Sequence, residues 1–217
     1  MILINFKIYK QSFSEGAVEL AKMCQEVSQK TKVEIIPVVS ALDGWRIKSE
    51  VGGKVFLQNV DEYEEGAKTG QISSVAAKEL GLDGSLLNHS ECRKKPGTIR
   101  KMVKAWPEGL VSVVCLQSLG QAEKWGRKIK ADFIAYEPKE LIGSKDKSVA
   151  SEKASVIKKM VKILEPTPVL VGAGIHQAKD VEVSLKMGAR GILVASDVVK
   201  AEDPRKELLE LAEVFRV

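Results

Sequence analysis

Histidine and cysteine are scarce in this chain, with two histidines and three cysteines in 217 residues. Cys24, Cys92 and Cys115 are odd in number and show no Cys-x-x-Cys spacing. A disulfide framework and a zinc module of clustered Cys and His are therefore not expected, and the chain reads as one from a reducing compartment. Aromatic residues make up 5%, which is thin for a base-stacking surface. No apolar run approaches membrane-spanning length. The opening Met1-Ile2-Leu3-Ile4-Asn5 lacks the charged lead, long apolar stretch and small-residue cleavage site of a signal peptide. A cytoplasmic protein with no membrane partner is the expectation. Linkers rich in Pro, Gly or Ser are missing too, so one domain over residues 1–217 is the simplest organisation.

What is present is an ordinary globular composition, 44% hydrophobic and 29% charged, enough for one sizeable core. The formal charge is +5 and the pI near 9.0. Acidic and basic residues are interspersed, as in Lys200-Ala201-Glu202-Asp203-Pro204-Arg205-Lys206-Glu207, so no basic stripe marks a nucleic-acid partner. The positive balance suits anionic metabolites instead.

Short apolar β-branched runs alternate with longer amphipathic stretches about eight times, the pattern of parallel strands covered on both faces. Strands are expected over residues 2–5, 34–39, 55–59, 84–88, 110–116, 133–137, 168–171 and 191–195. A helix is expected to open with Ser14 as its polar cap, and another to run from Ser148 to Leu164. Gly81, Gly109 and Gly188 precede strands and read as helix stops. Such alternation predicts a single α/β (β/α)8 barrel with short loops, at about 27 residues per unit.

In such a barrel chemistry sits where strands end. Asn5-Phe6-Lys7 ends the first strand; with Phe6 packed under the barrel, Asn5 and Lys7 share the opposite face by strand alternation. Lys7 then delivers a cation and Asn5 fixes orientation. His89 stands at a strand end in Asn88-His89-Ser90-Glu91, where a helix start beside the ring favours neutral imidazole, a hydrogen-bond donor to a carbonyl oxygen gaining charge. Glu91 is either a helix-start charge or a partner of the site. Glu137 emerges from Phe133-Ile134-Ala135-Tyr136, and Pro138 stiffens the exit. The following Lys139-Glu140-Leu141-Ile142-Gly143 has the composition of a lid. Gly172-Ala173-Gly174 and Ala195-Ser196 end the last two strands with small residues, which lets backbone N–H groups approach a phosphate.

Taken in order, these segments resemble the triosephosphate isomerase family, most closely its short archaeal form. The matches also include Gln58-Asn59, Gly66-Ala67-Lys68-Thr69-Gly70 and Ile192-Leu193-Val194, and they extend over essentially the whole chain. The resemblance implies a TIM barrel and the interconversion of dihydroxyacetone phosphate and glyceraldehyde 3-phosphate through an enediolate, in glycolysis and gluconeogenesis. It implies neither metal nor organic cofactor. By position it makes Glu137 the base, His89 the electrophile and Lys7 the cation, with Asn5 placing Lys7 and the substrate. The phosphate would meet Ile142, Gly143, Gly174, Ala195 and Ser196, under a lid from Pro138 to Gly143. The segment 66–70 matches the loop by which family members reach a neighbouring subunit, implying a homodimer or homotetramer. The pattern departs at Ser144-Lys145-Asp146-Lys147 after the lid, at Cys92, at Asp197 and at His176. Asp197 stands where glycine is common beside the phosphate contacts, and His176 where a small polar residue is usual; no role for His176 follows. Another phosphate-sugar isomerase on this scaffold, or a barrel kept for binding or assembly, are the other readings that the segments allow.

Overall fold

The computed structural model describes residues 1–62, 66–138, 141, 148 and 154–216. The apolar runs form eight strands: β1 Ile2–Asn5, β2 Ile35–Val39, β3 Phe56–Leu57, β4 Gly84–Leu87, β5 Val111–Leu116, β6 Phe133–Tyr136, β7 Val169–Val171 and β8 Gly191–Val194. Each pairs in parallel with the next, and β8 pairs with β1, so the sheet closes into a barrel without free edges. This is the (β/α)8 fold that the alternation of elements predicts.

Several strands are shorter than the apolar runs suggest. Ladder pairing in β3 is confined to Phe56–Leu57 within the expected 55–59. Asn88, Glu137 and Ala195 lie one residue past β4, β6 and β8. Side chains aimed at the mouth thus sit where the chain has left the ladder, Asn88 in the left-handed region with φ 61°.

Strand alternation divides the core in two. Leu3, Ile36, Phe56, Val113, Cys115 and Leu193 belong to a compact inner cluster. Ile2, Ile4, Phe6, Leu87, Leu116 and Ile192 belong to the outer cluster against the helices. Phe6 therefore packs between barrel and helices, not under the barrel, while Asn5 and Lys7 continue the inward row begun by Leu3. The inner space is filled by pairing large with small: a Cβ on Gly84 would stand 2.7 Å from both the Phe56 ring and the Val111 carbonyl oxygen.

Among the described residues the outer layer comprises α1 Glu15–Thr31, α2 Ala41–Glu50, α3 Ser74–Glu79, α4 Pro96–Lys104, α5 Leu119–Lys124, α6 Ala154–Leu164, α7 Ala178–Lys186, α8 Ser196–Val199 and α9 Pro204–Glu213. α1 buries Ala17, Val18, Ala21, Cys24 and Val27, positions that return at helical spacing to one face. Ser40, Ser73, Ser118 and Asp203 cap their helices by accepting a first-turn N–H.

Local expectations fail at three places. Ser14 precedes α1 but makes no side-chain cap; its backbone N–H donates to Asp43 Oδ1 at 3.0 Å instead. Gly81 and Gly188 follow helices with positive φ as expected, whereas Gly109 closes a turn in which Leu110 N–H donates to Pro107 O at 3.1 Å, five residues beyond the end of α4. After His89 comes a single turn, with Cys92 N–H donating to His89 O at 2.9 Å; the helix itself starts at Pro96. Of the helix expected from Ser148 to Leu164, Ser148 lies outside a helix, and among the described residues the helix runs over Ala154–Leu164.

Candidate active site

At the carboxyl end of the barrel a cavity of about 700 Å³ is lined by Asn5, Lys7, His89, Glu137 and the segments 172–176 and 193–197. Its size is that of a small-ligand site. All described residues nominated by the sequence thus open onto one space. Ile142 and Gly143 lie outside the described residues; Leu141, beside them, is buried and its N–H donates to Pro138 O at 2.9 Å.

Lys7 reaches this space because its backbone turns sharply after β1, at φ 50°. Such a conformation costs a non-glycine residue about 1–3 kcal/mol, so surrounding contacts must hold it. They do so at both ends of the residue: Lys7 N–H donates to Asn5 Oδ1 at 3.1 Å, and Gln58 Nε2 donates to Lys7 O at 2.9 Å. The ammonium then pairs with Glu91 Oε1 at 2.7 Å. Burial pulls the Lys7 ammonium down, but the hydrogen bond and charge of Glu91, with smaller help from Tyr9 and Glu137, outweigh it and the net is above the ordinary lysine value. Glu91 is therefore a partner of the site and not a helix-start charge.

His89 is fixed by the turn that follows it. Glu91 N–H donates to His89 Nδ1 at 3.2 Å. A ring nitrogen that accepts carries no proton, so the hydrogen bond assigns the proton to Nε2, which faces Glu137 Oε1 at 3.1 Å. The turn is anchored by Asn88, whose Nδ2 donates to Cys115 O at 2.8 Å and whose Oδ1 accepts Lys94 N–H at 3.0 Å. Arg93, next to the unusual Cys92, donates from Nη1 to Asn88 O at 3.0 Å.

Glu137 is 2% exposed. One carboxylate oxygen meets His89; the other, Oε2, is buried and has no hydrogen-bond partner among the described residues. Burying an acceptor in this state is costly unless a ligand uses it. Two neighbours set the carboxylate's place. The buried Cys115 thiol lies against it and stays protonated: burial first, then the charge of and hydrogen bond to Glu137, push the thiol well above its usual range. Gly172 is the second neighbour; a Cβ there would come within 2.8 Å of Glu137 Cγ.

The loop after β7 and the turn after β8 form the remaining wall. Gly174 turns the chain at φ 68° and is buried, while Ala195 and Ser196 present little side chain. Asp197 is turned toward the same wall, and its Oδ1 lies 2.8 Å from His176 Nδ1. Among the described residues no group of three or more His, Cys, Asp or Glu is placed to hold a metal ion.

Residues 1–215 match the family model described as triosephosphate isomerase. A triosephosphate isomerase of Methanothermus fervidus is 38% identical over 216 residues, covering 97% of this chain and 96% of that protein. One from Archaeoglobus fulgidus is 39% identical over 216 residues with the same coverage, and one from Methanosarcina acetivorans 36% identical over 214 residues, again 97% and 96%. The chain belongs to the triosephosphate isomerase family.

In this triosephosphate isomerase chain three local features escape the sequence reading. Cys115 reads only as a reduced thiol until strand alternation in β5 places it inward beside Glu137; its spacing from Val113 carries that signal. Gly172 reads as a phosphate-loop glycine, whereas its missing Cβ makes room for Glu137. The His176–Asp197 pair joins two departures from the family pattern that are separated by 21 residues, and the parallel pairing of β7 with β8 brings them together.

Proposed function

We propose that Glu137 is the base by which this isomerase interconverts dihydroxyacetone phosphate and glyceraldehyde 3-phosphate. The reading is carried by the Glu137 carboxylate, with one oxygen held by His89 and the other buried at the cavity with no hydrogen-bond partner among the described residues. Oε2 takes a proton from the carbon next to the carbonyl, the electron pair moves to the carbonyl oxygen, and an enediolate forms. Return of the proton to the adjacent carbon gives the isomer. Substrate and product share one composition, so the balance needs no oxidant or reductant.

His89 would serve as the electrophile, its Nε2–H donating to the oxygen on which charge develops; the family is the reference case for a carboxylate base paired with neutral imidazole. Lys7, held cationic by Glu91, would offset charge on enediolate and phosphate. Asn5 places Lys7 through its backbone N–H. Gly174, Ala195 and Ser196 would hold the phosphate, joined by Ile142 and Gly143 from a lid that keeps water from the enediolate.

The whole chain would act as one barrel domain in the cytoplasm, as a homodimer or homotetramer. Supporting association, Ile8 on the loop after β1 and Leu42 and Trp45 on α2 are 80%, 94% and 58% exposed. Purified protein should convert glyceraldehyde 3-phosphate in a coupled assay, with Glu137→Ala prepared alongside to expose a contaminating host enzyme. It should also bind 2-phosphoglycolate, whose carboxylate resembles the enediolate, at least about 100-fold more tightly than inorganic phosphate. Equal binding of the two would oppose an active isomerase.

A further inference from the structure

The cavity that would take the phosphate holds a second ammonium, which the reaction scheme leaves unused. Among the described residues two lysines, Lys7 and Lys200, and three carboxylates, Glu91, Glu137 and Asp197, line it. Lys7 is paired with Glu91 at 2.7 Å. Asp197 lies against the His176 ring at 2.8 Å, and Lys200 makes no ion pair among the described residues. A substrate phosphate brings further negative charge to a lining whose carboxylates already outnumber its lysines. Lys200 is the lining ammonium whose charge no described carboxylate takes up.

The fold holds this ammonium beside the phosphate wall. α8 begins at Ser196, and Lys200 N–H donates to Ser196 O at 2.9 Å, so Lys200 stands one helical turn beyond Ser196 and shares its face. Its Nζ lies over the Tyr9 ring, 5.1 Å from the centroid, within cation–π range. Tyr9 is fixed by a closed turn with the buried Ser12: its N–H donates to Ser12 Oγ at 3.0 Å, and its carbonyl oxygen accepts from the Ser12 hydroxyl and N–H, both at 2.9 Å. The same two segments are tied again where Gln11 Nε2 donates to Val199 O at 3.2 Å. Lys200 thus reaches from the turn after β8 to the loop that follows Lys7. A carboxylate in the place of the ring would cancel its charge, whereas an aromatic face holds the ammonium and leaves its charge to an anion.

We propose that Lys200, held over Tyr9, is a phosphate-recognition residue of this isomerase that draws the dianionic group of the substrate onto the wall formed by Gly174, Ala195 and Ser196. The proposal rests on the phosphate site assigned above, and its test separates the two. Sulfate carries the charge of the phosphate without the reacting carbons, so its competition against glyceraldehyde 3-phosphate reads that wall alone. In Lys200→Gln the sulfate inhibition constant should rise about tenfold at an ionic strength of about 0.02 M, and KM should rise more than kcat falls. The difference from the unmodified enzyme should shrink to about twofold at about 0.3 M, where added salt screens a charge at the cavity rim. Lys200→Arg keeps a cation that stacks on an aromatic face and should bring both constants back to within about threefold. A packing role for the side chain would lower kcat and the melting temperature in Lys200→Gln and leave the salt dependence as it was. Unchanged sulfate inhibition and KM in a folded Lys200→Gln protein, or a change that is independent of salt and not restored in Lys200→Arg, would overturn the proposal. Failure of sulfate to compete in the unmodified enzyme would remove the phosphate site itself, and the proposal with it.

Discussion

His89 Nε2 lies 3.1 Å from Glu137 Oε1 although the two residues follow different strands and are 48 positions apart in sequence. The contact joins a donor and an acceptor whose other sides are set independently, His89 by the N–H of Glu91 and Glu137 by the packing of Gly172 and Cys115. The proposed proton donor for the substrate oxygen and the proposed base for the carbon are thus held in register before substrate arrives.

Removing the donor tests the first half. His89→Gln is expected to lower kcat about 100-fold to 1,000-fold with a smaller change in KM, because the lost interaction is one that strengthens as charge develops. Initial rates at saturating and limiting glyceraldehyde 3-phosphate separate the two parameters. A pure KM effect would make His89 a binding residue only.

The close fit at Gly172 carries the second. In Gly172→Ala the new Cβ would meet Glu137 Cγ at 2.8 Å, so the carboxylate must move. A misplacement of about 1 Å is enough to cost about 100-fold in kcat, while the melting temperature should drop only modestly. Wild-type turnover in this variant would mean that Glu137 tolerates displacement.

The sequence shows the barrel and the strand ends well because both depend on local pattern. Runs such as Ile2-Leu3-Ile4 are apolar throughout, which only a strand buried on both faces requires, and Glu137 ends such a run before a proline. What it does not show depends on how the paired strands set distant strand ends side by side. Lys7 meets Glu91 across 84 positions, and His176 meets Asp197 across 21. Backbone conformation is equally hidden: nothing in Asn5-Phe6-Lys7 announces a left-handed lysine, and Ser14 has the right chemistry for a cap without its geometry.

Glu91→Gln tests the charge state of Lys7. Burial favours the neutral amine, and Glu91 reverses that balance, so the raised value keeps Lys7 charged up to and beyond 10.5 in the native enzyme. Its contribution to kcat/KM is present below that value and lost above it. In Glu91→Gln, burial acts unopposed by its main partner, and the alkaline fall of kcat/KM should begin at lower pH. Melting temperature near neutrality should change little, since a partly exposed pair contributes at most about 1 kcal/mol. Coincident pH profiles would show that Glu91 does not set the charge of Lys7.

Alkaline stability should report the buried thiols. Burial raises Cys24 from 9.0 to about 12, and Cys115 moves in the same direction. Below 9.0 the thiol is protonated in both states and its contribution is fully present. As pH rises toward 12 the unfolded chain ionises while the folded one resists, so stability declines across that window. The melting temperature should therefore fall above pH 9, with a shallower decline in Cys24→Ala despite its lower starting value. An equal slope in both proteins would assign the alkaline loss to other groups.

The central assignment is tested most directly by following dihydroxyacetone phosphate in deuterated water by proton NMR with wild-type enzyme and with Glu137→Gln. The substitution removes the proposed base but keeps the shape, and it relieves a buried carboxylate with one oxygen unpaired among the described residues. Solvent deuterium should appear on carbon in the wild-type reaction. In Glu137→Gln both exchange and isomerisation should fall by at least about 100-fold, with the melting temperature equal or higher. Exchange and turnover at wild-type rates in a folded Glu137→Gln protein would contradict the account and place the base elsewhere.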